Sequence, residues 1–153
     1  MSQIDQIVHE LKCAFDVEPW HGPALMELLD GIDAKTAAAR PIATAHSIWE
    51  LVVHLTGWER VITRRLFGEK ITLSDAENFG HATGAGEAAW RKAIENLRNT
   101  HAELIKTVST FSDERLNAPV PGKPYDIGFM LHGASQHLAY HGGQIALLKR
   151  ARA

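Results

Sequence analysis

The stretch Asp126-Ile-Gly-Phe-Met-Leu-His132-Gly-Ala-Ser-Gln-His137-Leu-Ala-Tyr-His141-Gly-Gly-Gln144-Ile-Ala-Leu-Leu-Lys-Arg150 decides how this chain is read. Its residues Ile127, Leu131, Ala134, Leu138, Ile145 and Leu148 recur at helical period, so the segment reads as a helix with that stripe turned to a core. His137 and His141 stand four residues apart, which stacks them on one face at the inner margin of the stripe. An uncharged imidazole beside a second one is a costly way to fill a core unless its free nitrogen has a partner. A divalent ion is one such partner, and a neighbouring carbonyl or carboxylate is the other. With 9 His in 153 residues, chance placement gives roughly 0.5 such pairs, so the pair gains weight only from its surroundings.

Those surroundings are helical. Ile4, Ile7, Val8, Leu11, Ala14 and Phe15 carry a first helix that is kinked or broken at Glu18-Pro19-Trp20-His21-Gly22-Pro23, after which Leu25, Leu28, Leu29 and Ile32 resume the pattern. The bend turns Trp20 and His21 either toward a cavity or, for the tryptophan, into the end of the bundle as a plug. Residues 33–45 read as a connection. Ser47-Ile-Trp-Glu50 is a capping box opening a second helix that runs to about Phe67 and stops at Gly68. Its stripe is Ile48, Leu51/Val52, Leu55, Trp58, Ile62 and Leu66, and His54 falls on the margin.

Residues 69–86 are polar and glycine-rich, hence a long loop with a solvated His81. A third helix spans about Glu87 to Phe111 and carries Trp90, Ile94, Leu97, His101, Leu104, Val108 and Phe111 on one side. Both His54 and His101 are therefore placed to complete a site with His137 and His141, and the periodicity alone leaves that contest open. Ser112 to Leu116 is a turn or short helix, and Pro119-Val-Pro121-Gly122-Lys-Pro124 is the connector before the last helix. These elements add up to an all-α chain, a four-helix bundle with long connections that leave room for crossovers.

Composition narrows the function classes. The length fits one domain, the chain is 45% hydrophobic and 22% charged, and the net charge is −2 with Lys and Arg scattered. No concentrated basic patch offers itself to nucleic acid. The runs Arg60…Arg64-Arg65 and Lys149-Arg150…Arg152 sit near helix ends, where positive charge complements the helix dipole. The single Cys13 excludes an internal disulfide and a thiolate cage, and beside the first stripe it reads as a small core residue. A metal here has nitrogen and oxygen ligands. The start Met1-Ser-Gln-Ile-Asp has no leader pattern and no stretch is apolar enough for a membrane span, so the expected compartment is the cytoplasm.

Three motifs in order, Trp20-His21-Gly22-Pro23, His46-Ser47-Ile48-Trp49-Glu50-Leu51-Val52-Val53-His54 and His137-Leu-Ala-Tyr-His141-Gly-Gly143-Gln144-Ile145, resemble the DinB/YfiT-like superfamily over essentially the whole chain. The resemblance implies a four-helix bundle in which a histidine of the second helix joins the H-x3-H pair of the fourth around a divalent metal. Position by position it implies His54, His137 and His141 as ligands. Proteins that look like this include transferases and isomerases using bacillithiol, mycothiol or glutathione, proteins described as metal-dependent hydrolases, and several dimers.

The expected function is accordingly a divalent transition-metal site, zinc or nickel first. It acts as hydrolase or thiol transferase on a small molecule, or else serves a non-catalytic metal- or ligand-binding stress-response module. The expected partners are that small molecule, with low-molecular-weight thiols among the candidate classes, and a second copy of the chain, with neither nucleic acid nor membrane. Three imidazoles leave coordination positions open for water or substrate. His21, Glu50, Tyr140 and Gln144 are the candidates for moving a proton or steering substrate, with His46 lining the pocket; Glu50 has a further reading as an orienter or weak extra ligand. His132, five residues before His137 and 140° away, reads as a helix-face or interface histidine.

Overall fold

The computed structural model describes residues 1–80 and 84–151, so the expectations for His81 and Arg152 lie outside the described residues. Four long helices carry the fold: α1 (Gln3–Phe15), α4 (Ile48–Leu66), α6 (Glu87–Val108) and α7 (Ile127–Arg150). Between them come the short α2 (Leu25–Leu29), α3 (Ala34–Ala38) and α5 (Asp75–Asn78), and a 3₁₀ turn at Asp113–Asn117. The described residues contain no strand, only an isolated bridge between Pro119 and Asp126. Among the described residues no helix is long and apolar enough to cross a membrane.

Local chemistry sets the helix starts. Ser2 with Asp5, and Ser47 with Glu50, form complete capping boxes on α1 and α4, and the Asp126 carboxylate accepts the Phe129 amide at 2.8 Å to open α7. Two expectations of plain loop are corrected by the same device. In the 33–45 connection, Asp33 accepts the Thr36 amide at 2.7 Å and starts α3, which tucks Ala34 and Ala37 into the core. In the 69–86 loop, Ser74 and Glu77 form a third capping box and start α5. The break after α1 is real, but Trp20 does not plug the bundle: it is 103% exposed. Two prolines and Gly22, at φ 128°, carry the chain outward there. Cys13 is half-buried with its Sγ 3.5 Å from His9 Nε2, outside the core proper.

The core falls into two clusters. One gathers Phe15, Leu51, Leu55, Leu97, Leu138 and Ile145, and the other Ile7, Leu11, Ile62, Leu66, Leu104 and Leu131. Each such buried leucine contributes roughly 1.5–3 kcal/mol. Helices α1 and α7 run from the second cluster to the first, while α4 and α6 run the other way. The bundle is thus up-down-down-up. Helix α4 packs on α6 and α7, and α1 on α7 and α6, so the connections after α1 and after α6 pass diagonally across an end of the bundle, and the crossover that runs its length is the one joining the parallel α4 and α6.

A polar layer separates the clusters. Glu59 on α4 and His101 on α6 meet there, Oε1 to Nδ1 at 2.8 Å, and the His101 ring stacks on Phe15 at 3.8 Å. His101 therefore occupies a core slot as its periodicity requires, with a carboxylate partner.

Candidate metal centre

His54 comes from the first half of α4, and His137 and His141 come from successive turns of α7, so the α4–α7 packing brings the three rings together. His54 and His141 are each 5% exposed, and His137 is half-buried. The Nε2 of His137 lies 3.0 Å from Nε2 of His54 and 3.0 Å from Nε2 of His141. The outer nitrogens are engaged: His54 Nδ1–H donates to the Asn78 carbonyl at 2.6 Å, and His141 Nδ1–H donates to Gln144 Oε1 at 2.6 Å.

Proton counting makes this arrangement informative. An imidazole nitrogen has one in-plane site, which holds either a hydrogen or a lone pair. His137 Nε2 can then make a hydrogen bond to only one of its two neighbours, whatever the protonation states. With both neighbours protonated at Nδ1 their Nε2 lone pairs face His137, so at least one of them is left without a donor in a water-poor site, which is costly unless a cation lies between them. Two nitrogens bound to one ion at about 2.0–2.1 Å are separated by roughly 3.0–3.4 Å for right-angled to tetrahedral arrangements, and the observed spacing of 3.0 Å fits. His54, His137 and His141 form a group that could hold a metal ion.

The electrostatics agree. Burial, reinforced by the neighbouring His141 and His54, pushes His137 down to about 3. Burial also lowers His54, against the opposing pull of the Asn78 carbonyl, and lowers His141, against the opposing pull of Gln144. All three rings are held neutral at ordinary pH, the state that ligates a metal.

Two residues around the triad carry no signal in the periodicity. Asn78 ends α5 and supplies the carbonyl under His54; Phe79, the next residue, lies flat on the His54 ring at 4.0 Å and 4°. The Ser74-x-x-Glu77 box was the available clue that this loop is built. A cavity of about 510 Å³ between α4 and α6 lies on the other side of that turn, against Val53, Glu77 and Gly80, and no member of the triad lines it.

The remaining candidates separate by position. Gln144 holds His141, as described. Glu50 is engaged in its own cap: Oε2 accepts the Ser47 amide at 2.7 Å and lies 3.7 Å from His46 Nδ1, and Oε1 accepts from Arg40. His46 is exposed and stacks at 3.7 Å on the face of Phe79 opposite His54. Tyr140 is 65% exposed and meets His141 edge-on, with ring centroids 5.0 Å apart. His21 is exposed and lines a separate groove of about 280 Å³ with Pro23, Leu28, Ala139 and Gly143. His132 pairs with Glu10 at 2.9 Å on the surface.

No curated protein and no solved structure matches the chain. A family model described as the DinB superfamily matches residues 20–145, a span that takes in α4, α6 and all three converging histidines. On that match the chain belongs to the DinB superfamily.

Proposed function

We propose that this chain is a divalent-metal-dependent enzyme acting on a small molecule, with His54, His137 and His141 as the ligands. One observation supports the reading above others: three Nε2 atoms converge with too few protons to satisfy one another, and among the described residues no carboxylate joins the group. Neutral ligands leave the full charge of an ion uncompensated, which favours an anionic ligand at the open positions. A bound zinc or nickel ion supplies a Lewis acid that lowers the pKa of a water or thiol and polarises a substrate. Nitrogen donors suit these two ions better than magnesium or calcium.

Of the two chemistries, transfer to or from a low-molecular-weight thiol fits the donor set better than hydrolysis. A thiol already loses its proton near neutral pH, whereas water activation gains most from an adjacent base, and Glu50 is engaged elsewhere. His54 and His141 act by keeping their protons on Nδ1, so that their Nε2 lone pairs face inward. Tyr140 and His46, exposed at the edge of the cluster, are the groups placed to steer a substrate. The reading is tested by incubating metal-loaded protein with a panel of such thiols and an electrophile. It predicts product that His137→Ala abolishes; equal turnover by metal-free protein contradicts it.

The burial of His54 and His141 also favours a second reading, a non-catalytic module in which the ion ties α4 to α7. That reading expects a lower melting temperature on metal removal and no turnover with any substrate.

A homodimer belongs to the proposal. Phe129, Gly133, Gln136, Tyr140, Gly143 and Leu147 follow one another at alternating steps of four and three along the outer face of α7. Phe129, Tyr140 and Leu147 are 67%, 65% and 65% exposed, a seam suited to the same helix of a second copy.

A further inference from the structure

We infer that Trp58 and Asn78 form a clamp that fixes the ring of His54 and so sets how tightly the triad holds a divalent ion; the inference rests on the metal reading above. Helix α4 places residues 54 and 58 one turn apart on the same side. Both reach one residue. Trp58 Nε1–H donates to the Asn78 side-chain oxygen at 2.8 Å, and His54 Nδ1–H donates to the Asn78 main-chain oxygen at 2.6 Å. Asn78 is the last residue of α5, where a carbonyl has no partner within its own helix and is free to accept.

The clamp is braced from both sides. The Arg65 guanidinium lies 5.7 Å from the centre of a Trp58 ring, and Arg65 Nε–H donates to the Ile71 carbonyl at 2.9 Å, which pins the start of the same loop to α4. At the other end, Phe79 is sandwiched between His54 and His46 at 4.0 and 3.7 Å. Helix α5 itself buries no residue. Its anchorage is therefore polar and aromatic and centres on His54, with Phe79 also packing against the first core cluster.

The consequence concerns the tautomer. A free neutral imidazole divides between two forms, and only the one protonated at Nδ1 presents Nε2 to a metal. The Asn78 carbonyl selects that form, and Trp58 holds the carbonyl where it can do so. Trp58 and Asn78 are positioning residues: neither touches the ion.

The test measures zinc affinity by competition with a chromophoric chelator, alongside the melting temperature of the metal-free protein. Trp58→Phe keeps a ring beneath Arg65 and removes the N–H; Asn78→Leu removes the acceptor; Asn78→Asp retains it. Loss of a partner that orients a ligating histidine costs about 10–100-fold in affinity, and Trp58, one bond further out, is expected to cost roughly tenfold. Asn78→Asp should bind zinc at least as tightly as the parent does, since it keeps the acceptor and adds a negative charge near the ion, and Trp58→Phe with Asn78→Leu should weaken binding no more than either change alone, since both break one bond. ¹⁵N spectra of the metal-free parent should show His54 protonated at Nδ1, and Trp58→Phe should mix the tautomers. Unchanged affinity in Trp58→Phe, or additive losses in the double variant, would overturn the clamp while leaving the triad intact. A parent protein that takes up no zinc would overturn the metal reading and the clamp with it.

Discussion

His54 and His137 face each other Nε2 to Nε2 at 3.0 Å, one ring from α4 and the other from α7, and His137 repeats the contact with His141. Without a cation at least one of these contacts works against the fold. Metal should therefore stabilise the protein by mass action, about 2.7 kcal/mol at a free concentration one hundred times the dissociation constant. For a chain of this size that corresponds to roughly 5–10 °C. Calorimetry with zinc and then with a chelator checks it, and identical midpoints would count against a site at these rings.

The same three rings give the metal-free protein an acid-sensitive stability. Burial lowers His54, His137 and His141 below the ordinary value of 6.5, His137 to about 3. Lowered folded values mean that the unfolded chain takes up protons first. This contribution is thus complete above about pH 6.5 and is lost progressively as pH falls toward about 3. Urea midpoints of chelator-treated protein should be lower at pH 5 than at pH 7.5, with a smaller difference in His137→Phe. A difference of the same size in that variant would mean that His137 is not responsible.

Glu59 and His101 predict an effect on stability that leaves the site untouched. Their pair is buried, and Glu59 Oε2 and His101 Nε2 have no further partner among the described residues. His101→Phe strands the carboxylate, an effect of about 3–5 kcal/mol. Chemical denaturation should show that loss, and the added change Glu59→Leu should recover part of it. Metal stoichiometry should stay the same in both variants; a drop in both would tie this pair to the centre.

The outer seam of α7 yields a prediction about assembly. Leu147→Glu places a charge at a side chain that is 65% exposed in the single chain, so it should leave the fold intact while dissociating a dimer. Sedimentation velocity at micromolar concentration decides, with a dimer expected for the parent and a monomer for the variant. A monomeric parent would remove the seam as a homodimer interface.

What the sequence disclosed, and what it withheld, follow the range of the physics. The α4 and α7 stripes lie almost wholly inside the core, because helical period reports a local property that packing then exploits. Ser47-x-x-Glu50 marked the start of α4 for the same reason, and the identical Ser74-x-x-Glu77 signal of α5 was obscured by the glycines that follow it. The choice between His54 and His101 lay beyond periodicity, since both sit on inward faces and only the packing of α6 delivers His101 to Glu59. The Asn78 carbonyl was invisible for a deeper reason: a main-chain oxygen leaves no mark on residue type. Trp20 misled because a large aromatic usually finds cover, yet the Pro19-to-Pro23 break projects it away from the bundle.

The measurement closest to the central claim is elemental analysis of protein prepared without an affinity tag, beside the single variants His54→Ala, His137→Ala and His141→Ala. The account predicts one divalent transition-metal ion per chain in the parent and its loss in each variant, with helical content unchanged. A metal-free parent, or variants that retain the ion in full, would contradict it.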